Sequence, residues 1–283
     1  PVFSHMVFDN KLKRDDISEL VQLDKEKTRM VVDGRKQFFI KGVHYQDGYS
    51  PTPKHETVRL VCAIRILLGL KGLSFDVSNA YCQAKRDQPI ALEYPRGMEQ
   101  FNDRGEKLYQ ILWRNHYGSP DGSPNWDTEK DQKYMAKFDD EANGWKIHKC
   151  VLDPCLYRID YSPLQSGSDF LQTNEAFRGD LGATNWTLMV VHSDDHDLVS
   201  ASTTLMQSIR DFANSTWGVK DTSGADMLGV KRRVFVEDNV TKMELTMKTQ
   251  VEGTISAFAQ WMQLAGVAGK TLSTPFPPGK FLT

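Results

Sequence analysis

Three acidic residues in this chain sit inside apolar sequence. The run Val190-Val191-His192-Ser193-Asp194-Asp195-His196-Asp197-Leu198-Val199 places adjacent carboxylates between hydrophobic flanks, and Asp76 interrupts the alternation of Leu73, Phe75 and Val77. Converging carboxylates repel one another unless cations neutralise them, so a cluster of three is a standing site for divalent metal. Magnesium is the natural occupant, because it takes oxygen ligands, keeps several waters and needs few carboxylates besides substrate phosphates. Two such ions roughly 3.5–4 Å apart can activate an attacking hydroxyl and stabilise a leaving pyrophosphate. Asp194 and Asp195 also admit a plainer reading as a solvated hairpin tip, since Asp bonds nearby backbone in turns.

The elements that must carry these acids can be read from periodicity. Residues 186–191 and 198–201 read as two short strands joined by a tight acidic turn. In LSFDV, Phe75 and Val77 point to one face of a strand and leave Asp76 on the other. A helix precedes that strand: Thr57 caps VRLVCAIRILLGLKG, whose apolar face is Val58, Val61, Cys62, Ile64, Leu67 and Leu68, ending at Gly69 or Gly72. Residues 37–40 (QFFI) read as a strand, IALEYPRGM as strand and turn, KLYQILWR as a strand or short helix, and DPCLYRID as a strand. Further helices are expected over residues 126–145, closing at Gly144, over 205–218 and over 252–266, with a hairpin turning at Asp238-Asn239. Residues 1–34 are charge-rich without sustained period and suggest an arm, and residues 160–185 a loop or long hairpin excursion. The irregular interleaving, with no Gly-rich phosphate loop after a strand, indicates an α+β fold in which helices cover one face of an antiparallel sheet and leave an open cleft on the other.

Composition narrows the function. The chain has 283 residues, 40% hydrophobic and 25% charged, which suits a soluble globular protein, and no apolar run approaches the ~18 residues of a membrane span. It begins without Met or a signal peptide, so it reads as a segment of something longer with no visible address, cytoplasmic or nuclear. Four cysteines are too few for a disulfide framework, and His148, Cys150 and Cys155 lack a fourth ligand at zinc spacing. A net charge of −2 confines any grip on nucleic acid to local clusters, for which Lys11-Leu12-Lys13-Arg14, Arg35-Lys36 and Lys231-Arg232-Arg233 compete with solvated faces as readings.

In order along the chain stand FDVSNAY, LYQILWRNHYGSPDGSPNW, DPCLY, VVHSDDHDLV, DMLGV and STPFPPG, preceded by Lys41-Gly42, Tyr49-Ser50-Pro51 and Thr57-Val58-Arg59. This ordered set resembles the reverse transcriptase of copia-type LTR retrotransposons, over roughly residues 35–283. The resemblance implies a right-hand polymerase: an arm at 1–34, fingers and palm over 35–245 with an antiparallel palm sheet backed by helices, and the start of a thumb over 246–283. It implies an RNA-directed DNA polymerase in which Asp76, Asp194 and Asp195 are catalytic and hold two Mg2+ ions together with Val77. Tyr81 would lie under the deoxyribose, and Lys41, Arg35 and Lys36 would meet the triphosphate. The implied partners are dNTPs, an RNA or DNA template with primer, and other polyprotein segments or a second subunit.

Several positions depart from the family pattern. His192 replaces the aromatic before the acidic pair, Gln37 replaces an arginine, and YGSPDGSPNW stands where YGLKQAPRAW is usual. Asp121 thus occupies the place of a glutamine that supports the nucleotide, while Pro120 and Pro124 replace a lysine and an arginine. Lost positive charge and an added carboxylate oppose triphosphate binding. The alternative to an active polymerase is a decayed or domesticated fold serving as a structural or binding subunit.

Overall fold

The computed structural model describes residues 3–14, 21–35, 39–45, 48–162, 185–224, 226–247 and 251–258. The chain forms two compact units, Pro1–Gly224 and Ala225–Thr283. In order, the first contains β1 (Ser4–Arg14), β2 (Val21–Val32), α1 (His55–Leu67), β3 (Lys71–Val77), α2 (Ala80–Gln83), β4 (Lys85–Leu92), β5 (Gln110–Arg114), α3 (Gly122–Phe138), β6 (Trp145–Lys149), β7 (Leu156–Tyr161), β8 (Trp186–His192), β9 (Asp195–Ser200), α4 (Thr203–Trp217) and β10 (Val219–Thr222). The second contains β11 (Asp226–Met227), β12 (Val230–Glu237) and β13 (Val240–Thr246), an antiparallel sheet, and a helix over residues 251–258. The β12–β13 turn falls at Asp238 and Asn239, both with left-handed φ (53° and 61°), as a two-residue hairpin loop demands. Among the described residues, no helix is long and apolar enough to cross a membrane.

The first unit is built on a six-stranded sheet in the order β10-β3-β9-β8-β7-β6, antiparallel throughout. One face presents Phe75, Val77, Tyr157, Ile159, Met189, Val191 and Leu198 to the core. Helices α3 and α4 cover it. Their buried residues recur at helical spacing, Trp126, Lys130, Tyr134 and Phe138 on α3 and Leu205, Met206, Ile209, Ala213 and Trp217 on α4. On the acid-bearing face the cover is partial: α1 packs against β9, and Val190 and Val199 are buried there. That face is therefore less open than the sequence suggests.

Several boundaries differ from the periodic reading. Phe39 and Ile40 lie outside any strand; Phe39 is buried from a loop against Val32, Ile90 and Leu92, so its hydrophobicity reports packing rather than a ladder. The rest of that expected strand, 37–38, lies outside the described residues, as does most of the 160–185 excursion. Helix α1 starts at His55, and Thr57 is not its N-cap. The buried carboxylate of Asp153 serves that helix end from afar, accepting the Lys54 N–H at 2.9 Å and a bond from Thr57. Burial pushes the Asp153 carboxyl up, but the Thr57 hydroxyl and the N–H groups of Lys54 and Cys155 hold it below its ordinary value. Helix α3 begins at Gly122 rather than 126, since Pro124 in its first turn lacks only an N–H that the helix would leave unpaired. It ends at Phe138, and a 3-10 turn over Glu141–Asn143 then closes at Gly144 (φ 81°). Residues 4–14 and 21–32, without a periodic signal, form the antiparallel β1–β2 ribbon.

The end of β2 meets the loop before α3 almost backbone to backbone. The Val32 N–H donates to the Tyr117 carbonyl at 2.8 Å. A Cβ on Gly118, whose φ is +89°, would lie 2.1 Å from the Val32 carbonyl oxygen, and one on Gly34 would lie 2.0 Å from that of Gly118. Only glycine permits this approach. Gly97, with φ +88° and nothing near a built Cβ, carries the conformational demand without the crowding. Gly118→Ala should therefore destabilise by about 2 kcal/mol or more, and clearly more than Gly97→Ala, in thermal or urea denaturation of the two variants.

Candidate active site

The register of β3 with β9 sets Phe75 opposite His196 and Asp76 opposite Asp195. Directly opposed residues share a face. Because Phe75 and Val77 are buried in the core, Asp76 and Asp195 emerge together on the far side of the sheet. Asp194 occupies the two-residue turn between β8 and β9, whose other member, Ser193, has φ 57°. The Val77 N–H donates to the Asp194 carbonyl at 2.9 Å, tying the turn to the end of β3. The Asp76 and Asp194 carboxyls hydrogen-bond each other. All three acids singled out from the sequence thus meet. Asp197, also in the acidic run, is buried and accepts from the Ser74 hydroxyl at 2.6 Å.

Burial, followed by the charges of Asp194 and Asp195, pushes Asp76 up to about 6, while Lys220 pulls the other way. Lys220 stands opposite Asp76 on β10. Asp76 is thus flanked by a carboxylate strand and a lysine strand. Among the described residues, no three His, Cys, Asp or Glu side chains are gathered as a ready-made ion cage. The donor set nonetheless suits a hard divalent cation: three carboxyl groups, two of them joined by a hydrogen bond whose proton stands in for external positive charge. The Val77 side chain is buried, so that residue could offer only its backbone carbonyl.

Around the acids lies a polar and aromatic wall. The Ser193 hydroxyl donates to that of Tyr81 at 3.0 Å. Tyr117 packs edge-on against Tyr81 (6.0 Å between centroids) and donates to Asn79 Oδ1 at 3.3 Å. Asn79 itself has φ 52° and introduces the short helix carrying Tyr81. Trp126 donates its indole N–H to the Ser193 carbonyl at 2.8 Å. His192, opposite Asp195, is half-buried; burial lowers its pKa and the charge of Asp194 opposes that shift.

The other candidates lie elsewhere in the unit. Arg35 is exposed and donates through Nε to both carboxylate oxygens of Asp33, at 2.8 and 2.9 Å, which holds Asp33 below its ordinary value. Lys41 is exposed, in a bridge with Tyr45, and Lys36 lies outside the described residues. Asp121 is buried and paired with Arg86 at 2.8 Å, while Asn125 donates to its other oxygen at 3.1 Å. Arg86 also donates to Asn115 Oδ1 and to the carbonyls of His44 and Gln88. The carboxylate added by Asp121 is therefore matched within the protein. It borders a cavity of about 370 Å³ lined also by Tyr45, Tyr49, Asn125 and Asp127. Sequence reasoning missed Arg86, Tyr117, Trp126, His196 and Lys220. The quoted motifs contained Tyr117, Trp126 and His196, but only the tertiary contacts attach them to the turn.

Residues 2–145, about half of the chain, match the family described as reverse transcriptase (RNA-dependent DNA polymerase). Over 250 residues the chain is 25% identical to a retrovirus-related Pol polyprotein from transposon TNT 1-94 of Nicotiana tabacum, an alignment covering 88% of this chain. The chain spans 16% of the length of that polyprotein. The family match takes in Asp76, Tyr81 and Asp121 and ends before the acidic turn.

The raised pKa of Asp76 makes stability depend on pH in a definite direction. Its carboxyl binds a proton more tightly folded than unfolded between its ordinary value of 3.8 and about 6. Its contribution to stability is therefore most favourable below that window and is lost as pH rises through it. In metal-free buffer, Asp76→Asn should raise the melting temperature relative to wild type at about pH 8, and the gain should shrink toward about pH 4. Scanning calorimetry at both pH values checks this, and a gain independent of pH would contradict it.

Proposed function

The chain belongs to the reverse transcriptase (RNA-dependent DNA polymerase) family, of the copia type, and on that premise we propose that it is an RNA-directed DNA polymerase core that extends a primer with dNTPs. The carrying observation is the meeting of Asp76, Asp194 and Asp195 on one face at the ends of β3 and β9. We assign residues 35–245 to fingers and palm, with the six-stranded sheet as the palm, residues 1–34 to an arm, and 246–283 to the start of a thumb. The template, primer and any further polyprotein segments belong to this proposal as well.

Asp76, Asp194 and Asp195, with the Val77 carbonyl, would hold two Mg2+ ions. Bound there, divalent cations supply charge neutralisation at the attacking hydroxyl and at the leaving pyrophosphate. The protein's own part is positioning. The β3–β9 register keeps Asp76 and Asp195 side by side, and the Val77 N–H keeps Asp194 against them. Lys220 adds positive charge beside Asp76. Tyr81, held through Ser193 and against Tyr117, would lie beneath the sugar of a nucleotide bound on these acids. Arg35, Lys36 and Lys41 would approach the triphosphate from the fingers. The Arg86 partner of Asp121 supports the active reading over a non-catalytic remnant, because the substitution leaves no uncompensated charge.

Primer extension on an RNA template in magnesium tests the proposal. Wild type should incorporate dNTPs, and Asp195→Asn should lower incorporation on the order of a hundredfold to a thousandfold while melting cooperatively. Equal background in both proteins would favour the non-catalytic subunit.

Tyr81 supplies a second test, of sugar recognition. Tyr81→Val opens space beneath the sugar and should admit rNTPs far more readily while retaining much dNTP incorporation, because a removed clash alters discrimination rather than chemistry. Tyr81→Phe keeps the ring, loses only the hydroxyl that Ser193 contacts, and should preserve discrimination. Ratios of dNTP to rNTP efficiency for the three proteins decide the matter; an unchanged ratio in active Tyr81→Val would remove this residue from the site.

A further inference from the structure

Two consecutive carbonyls of the acidic turn are gripped from the core side by ring nitrogens. Trp126 Nε1–H donates to the Ser193 carbonyl at 2.8 Å, and His196 Nδ1 lies 3.0 Å from the Asp194 carbonyl. A carbonyl oxygen only accepts, so Nδ1 must carry the proton. His196 is buried, and with the proton on Nδ1 the second ring nitrogen, Nε2, is the acceptor of a neutral imidazole. Among the described residues Nε2 has no hydrogen-bond partner, and neither has the buried hydroxyl of Tyr134. The two rings are 5.8 Å apart between centroids. A phenol O–H and an unprotonated imidazole nitrogen are complementary, and one shared water would satisfy both.

The imidazole also stacks on Phe75, with centroids 4.8 Å apart and planes 12° apart, next to Asp76 in the chain. An apolar side chain of similar size would fill this place without leaving an unpaired nitrogen. Packing alone therefore does not account for a histidine here. What the imidazole contributes, and an apolar residue cannot, is the Nδ1–H to the turn.

We propose that His196 is a positioning residue whose Nδ1–H, paired with the Trp126 indole N–H, sets the planes of the turn's peptide groups and so the directions in which the Asp194 and Asp195 carboxylates leave it. The consequence for metal binding rests on the reading of those carboxylates as ion-holding groups; the orientation of the turn does not.

Three full-chain variants test this. His196→Asn places an amide N–H near the Nδ1 position, His196→Gln carries it farther out, and His196→Leu keeps bulk without a donor. The readouts are the backbone amide NMR signals of residues 193–195 and Mn2+ affinity by electron paramagnetic resonance, each on protein shown to be folded by its melting curve. Leu and Gln should shift or broaden the turn signals and weaken Mn2+ binding about tenfold, the loss typical of removing an outer-shell partner of a metal ligand, whereas Asn should keep both near wild type. Unmoved turn signals in folded His196→Leu, or an Asn variant no better than Leu, would overturn the proposal. Should Leu fail to fold, the Asn and Gln pair decides it. Should wild type and Asp195→Asn take up Mn2+ equally, the ion-holding reading fails, and the turn signals alone judge His196.

Discussion

The arrangement of this protein depends on a like-charge contact that folding itself enforces. In the β3–β9 register a carboxylate stands directly opposite a carboxylate, and Asp194 joins them through the turn. Like charges so placed destabilise a sheet. The metal-free protein accommodates them by raising the proton affinity of Asp76 and by hydrogen-bonding it to Asp194. The remaining sheet contacts must tolerate this repulsion, and they do so by packing densely on the opposite face, where Phe75, Leu198 and Met189 are fully buried. The strained and the stabilising sides of the same strands are separated by a single pleat.

Holding the acids in place falls to groups that bear no negative charge. The turn is bonded by a backbone N–H from β3 and by ring N–H groups from α3 and β9. Helix α3 is fixed in turn by its buried stripe and by Lys130, buried among Asp127 at 2.6 Å and the ring of Tyr157. A buried lysine is tolerable only with such partners. The same helix therefore serves the core and the turn at once, which couples the stability of the first unit to the geometry of its acids.

A second layer of contacts surrounds this centre. The close backbone approach at Gly34 and Gly118 brings the β1–β2 ribbon to the loop bearing Tyr117, and Tyr117 reaches Tyr81 and Asn79. Arg29 lies over the Tyr117 ring at 5.6 Å. Arg86 gathers Asn115, Asp121 and the carbonyl of His44 into one buried network. Buried networks of this kind are costly where a member is left unpaired; the Arg86–Asp121 ion pair is matched at the centre, while Asn115 Nδ2 has no hydrogen-bond partner among the described residues. Where the family pattern is altered in YGSPDGSPNW, the alteration is thus absorbed by a partner far away in sequence.

Much of this was legible in the amino-acid sequence by itself. Period-two alternation identified the strand that carries Asp76, apolar flanks identified the two strands joined by the acidic turn of Asp194 and Asp195, and the pleat required Asp76 to face away from Phe75 and Val77; that the second of those strands begins at Asp195 was decided by the structure. Helical spacing located α4, the turn residues Asp238 and Asn239 marked a hairpin, and the ordered motifs pointed to the family. These features depend on neighbours within a few residues, where local sterics and hydrogen bonding decide. Tertiary structure alone decided that Asp153 would serve the start of α1, that Phe39 would be buried from a loop, that Arg86 would neutralise Asp121, and that Trp126 and His196 would grip the turn. Each of those contacts except that of His196 joins residues tens of positions apart, and a hydrogen bond or ion pair across such a separation leaves no periodicity to read. For His196 the limit was different: a histidine in a strand is ambiguous until burial and the placement of its Nδ1 against a carbonyl define its tautomer and its role.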